Sequence, residues 1–80
     1  MNASDIQKHI EELVAEEHRL LDAGGAGAHD ETARGRLEAV NVELDRYYDL
    51  LRQRRARDEF DQDPRDAHLR SGDTVEKYLQ

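Results

Sequence analysis

The sequence predicts an all-α protein: an antiparallel two-helix hairpin of coiled-coil type, followed by a short C-terminal segment. Three observations carry that prediction. Apolar residues recur at alternating steps of four and three in two stretches, residues 6–20 and 33–51, as the buried stripe of a helix does. A glycine-rich run separates the two stretches. Charged residues make up 39% of the 80-residue chain and apolar ones only 36%, a balance that suits a long solvated helix pair better than a thick globular core.

The first helix opens at Ser4-Asp5-Ile6-Gln7, which has capping-box spacing: the Ser4 hydroxyl can accept from the Gln7 amide while the Gln7 side chain reaches back. From Asp5 onward Ile6, Ile10, Leu13, Glu17 and Leu20 form the stripe, and Val14 and Leu21 widen it. Gly24, Gly25 and Gly27 lower the cost of leaving helical dihedrals, so the expected helix covers residues 5–23.

Asp30 is the expected N-cap of the second helix, and Glu31 in its first turn complements the helix dipole. Ala33, Leu37, Val40, Leu44, Tyr47, Leu51 and Arg54 keep the four-three alternation. A helix over residues 31–57 is about 40 Å long against about 28 Å for the first, so it overhangs. An antiparallel register pairs Leu20 with Leu37, Leu13 with Leu44, Ile10 with Tyr47 and Ile6 with Leu51. Glu17 is the polar exception, opposite Val40. Its carboxylate either reaches Arg36 or marks where another surface approaches.

Beyond residue 60 the acidic run ends at Pro64, which pushes Asp63 out of the helical region. Asp73-Thr74-Val75-Glu76 repeats the capping spacing, with Val75, Tyr78 and Leu79 on one face of a short helix over 74–79 that either docks or stays disordered. The expected organisation is a hairpin over 1–60 and an acidic linker with tail over 61–80.

Charge and composition exclude several functions. A net charge of -7 repels phosphate backbones and anionic lipids. The absence of cysteine removes disulfides, thiolate chemistry and the usual structural zinc sites. No apolar run exceeds three residues and the N-terminus lacks signal-peptide character, so the expected location is the cytoplasm. His9 and His18 lie about 180° apart on a helix and cannot share a metal. Ser4, Thr32, Ser71 and Thr74 sit where caps or turns explain them. Gly24-Gly25-Ala26-Gly27 lacks the strand and lysine of a phosphate loop. No catalytic residue, metal site or cofactor is expected, and the chain does not read as an enzyme.

What remains is the stretch from Leu44 to Phe60. Tyr47 falls on the seam, whereas Tyr48 lies about 100° further round and, with Leu50 and Leu51, makes an apolar strip wider than the first helix can cover. A second copy, or another protein, would bury it. Arg52, Arg54, Arg55 and Arg57 follow on the overhang. They read either as dipole-compensating cations or as a face recognising carboxylates or phosphates bidentately. The acidic residues from Asp58 to Asp66 weaken a nucleic-acid reading, and the tail could fold back over the same surface. The candidate partner-binding residues are Tyr48, Arg52, Arg54, Arg55 and Tyr78. The function expected is a non-enzymatic protein-interaction module, an adaptor or regulator, that pairs as a homodimer into a four-helix bundle. The alternative is binding of nucleic acid or a phosphate ligand through Arg52 to Arg57.

The run Leu37, Glu38, Val42-Glu43-Leu44-Asp45 and Asp49-Leu50-Leu51-Arg52-Gln53-Arg54-Arg55-Ala56, with Val75-Glu76-Lys77-Tyr78 near the end, resembles a bacterial, mostly actinobacterial, family catalogued as domain of unknown function twenty-six thirty. The resemblance spans nearly the whole chain. It implies a small helical protein and no activity. Members of that family tend to carry a tryptophan where this chain has Tyr48, which implies that an amphipathic aromatic is wanted there.

Overall fold

The computed structural model describes residues 2–27 and 31–79, with side chains at 2–22 and 31–77. The described residues form three α-helices, α1 (Ala3–Gly27), α2 (Glu31–Glu59) and α3 (Gly72–Leu79), and a single 3-10 turn, Pro64–Asp66, with no strand among them.

α1 starts two residues earlier than the capping box suggests. The Asn2 side-chain oxygen accepts the Asp5 amide at 2.8 Å, and the Asn2 carbonyl accepts the Ile6 amide at 3.1 Å. Asn and Ser are near-equal caps, so the earlier start wins by adding helical hydrogen bonds without moving Ile6. The other end also runs past expectation, to Gly27 instead of residue 23. Glycine costs only about 1 kcal/mol per interior position, and among the described residues no glycine takes the left-handed conformation that would cap the helix earlier. Asp30, the expected cap of α2, lies outside the described residues.

α2 ends in a Schellman closure. Gln62 donates to the Arg57 carbonyl at 2.7 Å and Asp61 to the Asp58 carbonyl at 3.2 Å, with Asp61 itself at φ 56°. Aspartate is among the few residues that tolerate this left-handed position.

Ile6 and Ile10 of α1 bury against Val40, Leu44, Tyr47 and Leu50 of α2, flanked by Leu13, Val14, Leu20 and Leu51. His9 stacks on Tyr47, ring centroids 5.2 Å apart, and Glu16 pairs with Arg36 at 2.6 Å. Numbers that rise along one helix therefore fall along the other. Arg36 takes Glu16 and not Glu17, the carboxylate on the seam.

The C-terminal segment lies on the opposite side of α2. Asp63 sits in the extended region, as its place before proline requires, and caps the 3-10 turn through the Arg65 amide. Ala67 and Leu69 then pack against the core, and Val75 of α3 is fully buried. Ser71, not Asp73, caps α3: its hydroxyl accepts the Thr74 amide and its carbonyl the Val75 amide, so the helix begins at Gly72 instead of residue 74. Gly72 permits the close approach, because a Cβ there would lie 2.8 Å from Val42 Cγ1.

Residues of α2 hold this segment by its backbone. Arg46 donates to the Arg70 carbonyl at 2.8 Å, Gln53 to the His68 carbonyl at 2.9 Å and Arg54 to the Pro64 carbonyl at 3.3 Å. Asp49, buried at 6% exposure, accepts from Gln53 and pairs with Arg70 at 3.3 Å. With α1 on one side of α2 and the tail on the other, the described residues form a slab of 50 × 26 × 15 Å.

Candidate functional site

His9 with Tyr47 and Glu16 with Arg36 line one edge of the α1–α2 contact. At 100° per residue, the other edge carries Val14 and Leu21 on α1, and Tyr48, Arg52 and Arg55 on α2. These five residues open on one broad face of the slab. Leu21 is 54% exposed and Tyr48 41%, while Arg52 and Arg55 are exposed and form no ion pair among the described residues.

The structure divides the residues that sequence grouped together. Tyr48, Arg52 and Arg55 share an arc of about 60° on α2. Arg54 points about 120° away from Tyr48 and binds the Pro64 carbonyl. Tyr47 is core, at 8% exposure. Leu50, expected in the apolar strip beside Tyr48, is only 3% exposed and belongs to the core cluster against which Ala67 and Leu69 pack. The side chain of Tyr78 lies outside the described residues. The tail docks, but on the Val42–Gln53 side of α2, so it leaves Tyr48, Arg52 and Arg55 uncovered.

A second arrangement was not legible beforehand. Asp45 of α2 and Glu76 of α3 face each other across a shallow groove of about 390 Å³ that Arg34, Glu38 and Asn41 also line. Two facing carboxylates can hydrogen-bond only by sharing a proton. That sharing, with partial burial, pushes the Glu76 carboxyl above its ordinary range, and with both groups ionised the covered Glu76 Oε1 has no donor. On the exposed 3-10 turn the cause and direction reverse: the Arg65 side chain and amide hold the Asp63 carboxyl down at about 2. The signal for the tail-binding stripe was present in the spacing of Val42, Arg46, Asp49 and Gln53, which step by four, three and four roughly opposite the seam. Its polar content made it look like a solvated surface.

Among the described residues no group of three or more His, Asp or Glu side chains is placed to hold a metal ion, and no helix is long and apolar enough to cross a membrane. The groove at Asp45 and Glu76 has no serine, threonine or histidine in its lining.

The chain is similar to uncharacterized proteins of mycobacteria: Rv0898c of Mycobacterium tuberculosis (strain ATCC 25618 / H37Rv) and Mb0922c of Mycobacterium bovis (strain ATCC BAA-935 / AF2122/97), each 44% identical over 78 residues, a span of 94% of this chain and 87% of the relative. No solved structure matches it. The sequence profile described as Protein of unknown function (DUF2630) matches residues 2–80, through both long helices and the docked tail alike, and the chain belongs to that family.

Proposed function

We propose that the chain is a non-enzymatic protein-interaction module, an adaptor or regulator working in the cytoplasm, and that its working surface is the open face of Val14, Leu21, Tyr48, Arg52 and Arg55. In this reading residues 1–60 form an antiparallel hairpin, residues 61–80 brace its back, and two copies pair into a four-helix bundle.

The observation that carries the reading is the uncovered broad face of the slab. Helical domains bury apolar surface between two layers, and among the described residues no second layer covers Leu21 and Tyr48 on the broad face. Burying a large apolar side chain such as Leu21 or Tyr48 adds roughly 1.5–3 kcal/mol.

Sedimentation equilibrium at micromolar concentration tests it. The wild type should dimerise, and Tyr48→Glu should shift it to monomer by placing a charge in the interface. A wild type that stays monomeric and folded at every concentration refutes the bundle. The alternative, nucleic-acid or phosphate-ligand binding, would rest on Arg52 and Arg55, because Arg54 turns away from them to hold the tail. It would show as ligand binding that falls steeply with salt.

A further inference from the structure

The open face is polar in a directed way, and this extends the homodimer reading, on which it rests. Glu17 lies on the α1 stripe with Ile10 and Leu13 and is half-buried. Arg36, its expected partner, is taken by Glu16, and Glu17 forms no ion pair among the described residues. At 100° per residue it points between Ile6 and Ile10, about 40° short of Leu21 on the open side. Arg52 and Arg55, likewise without an ion pair among the described residues, stand on the open face of α2.

The distances place these charges on either side of Tyr48. The stack of His9 on Tyr47 sets the register, so Glu17 lies level with about position 39 of α2, roughly 13 Å from Tyr48 along the axis. Arg52 and Arg55 lie about 6 and 10 Å beyond Tyr48 in the other direction, and their long side chains extend that reach. A carboxylate end and a guanidinium end flank an aromatic centre. A two-fold axis exchanges the ends of such a face, which makes it complementary to itself.

We propose that two copies pair face to face across a two-fold axis near Tyr48, with Glu17 of each copy meeting Arg52 and Arg55 of the other. The pairing answers two features at once: a half-buried seam carboxylate that forms no ion pair among the described residues, and exposed arginines beside an exposed aromatic. It also fixes orientation, because sliding or reversing one copy sets arginines against arginines or leaves Glu17 desolvated without a partner.

Two variants of the full chain decide it. Glu17→Arg and Arg52→Glu/Arg55→Glu should each weaken dimerisation by about tenfold or more, because each creates like-charge contacts at both symmetry-related sites. An equimolar mixture should form a heterodimer of wild-type strength, since an arginine at position 17 then meets glutamates while the wild-type arginines meet the wild-type Glu17. Native mass spectrometry distinguishes the three species by mass, and circular dichroism checks that both variants stay helical. A measurement free of substitutions runs beside it: the wild-type dimer should weaken as salt rises. A wild-type dimer that Tyr48→Glu dissociates, but whose two charge variants do not rescue each other, overturns this register and leaves the homodimer standing. A salt-indifferent dimer overturns the register as well. A monomeric wild type overturns both.

Discussion

Replacing Val75 by alanine should release the C-terminal helix while leaving the α1–α2 core folded. Val75 is 0% exposed and, among the described residues, shares that degree of burial with Ile6. Removing its two methyl groups forfeits about 1.6 kcal/mol of transfer free energy, and the remaining cavity raises the cost to about 2 kcal/mol. α3 has 8 residues, too few to hold a helix unaided, so the loss falls on the docking equilibrium. About 2 kcal/mol corresponds to a roughly 30-fold rise in the open population, and amide exchange from Val75 to Leu79 should quicken by that factor. Amides at Leu44 and Tyr47 should keep their rates. Unchanged exchange in α3 would show that the hydrogen bonds from Arg46, Gln53 and Arg54 suffice without Val75. Acceleration of all amides together would show that the slab opens only as one unit.

Leu44→Ala should destabilise the whole fold by about 2–5 kcal/mol, because Leu44 is 6% exposed against Ile6 and Ile10, and Leu13→Ala should cost less, being half-buried; melting midpoints that hardly move contradict this packing. Gly72→Ala should loosen α3, since the added Cβ would meet Val42 Cγ1 at 2.8 Å, and slower exchange in α3 would instead mean that the gain in helix propensity prevails. Docking of α3 should also depend on pH. The Glu76 pKa is raised in the folded state, so its contribution is fully present below the usual value of 4.5 and is lost as pH rises through the folded value, with Asp45, Glu38 and Arg34 facing it from α2. Glu76→Gln should abolish this dependence and tighten α3 at neutral pH, read by exchange at two pH values, and a wild type with flat behaviour refutes the shared proton.

The long helices were legible because the seam is periodic and apolar. α2 was expected over 31–57 and runs from Glu31 to Glu59. The ends of α1 were not, since two good caps, Asn2 and Ser4, compete two residues apart and three glycines weaken a helix without ending it. At the candidate site the exposure of Tyr48, Arg52 and Arg55 followed from their angle to the seam. The fate of Arg54 and Leu50 did not, because it depends on a segment whose attachment is polar. Asp49 shows the difficulty: an aspartate in a charged helix reads as solvated, yet it is buried beneath Arg70 and Gln53. Nothing in local periodicity announces an ion pair between residues 49 and 70.

The attachment of the tail treats the two sides of its contact unequally. Arg46, Gln53 and Arg54 donate from α2 to the carbonyls of Arg70, His68 and Pro64, and a carbonyl is supplied by any amino acid. The side chain at position 68 can therefore change without erasing the bond made there, whereas position 53 cannot lose its donor. A saturation library should thus be lopsided, permissive along much of the segment that is held and strict on the helix that holds it, with Arg70 the exception because its guanidinium also serves Asp49. Variation would accumulate in the strap and not in its buckle.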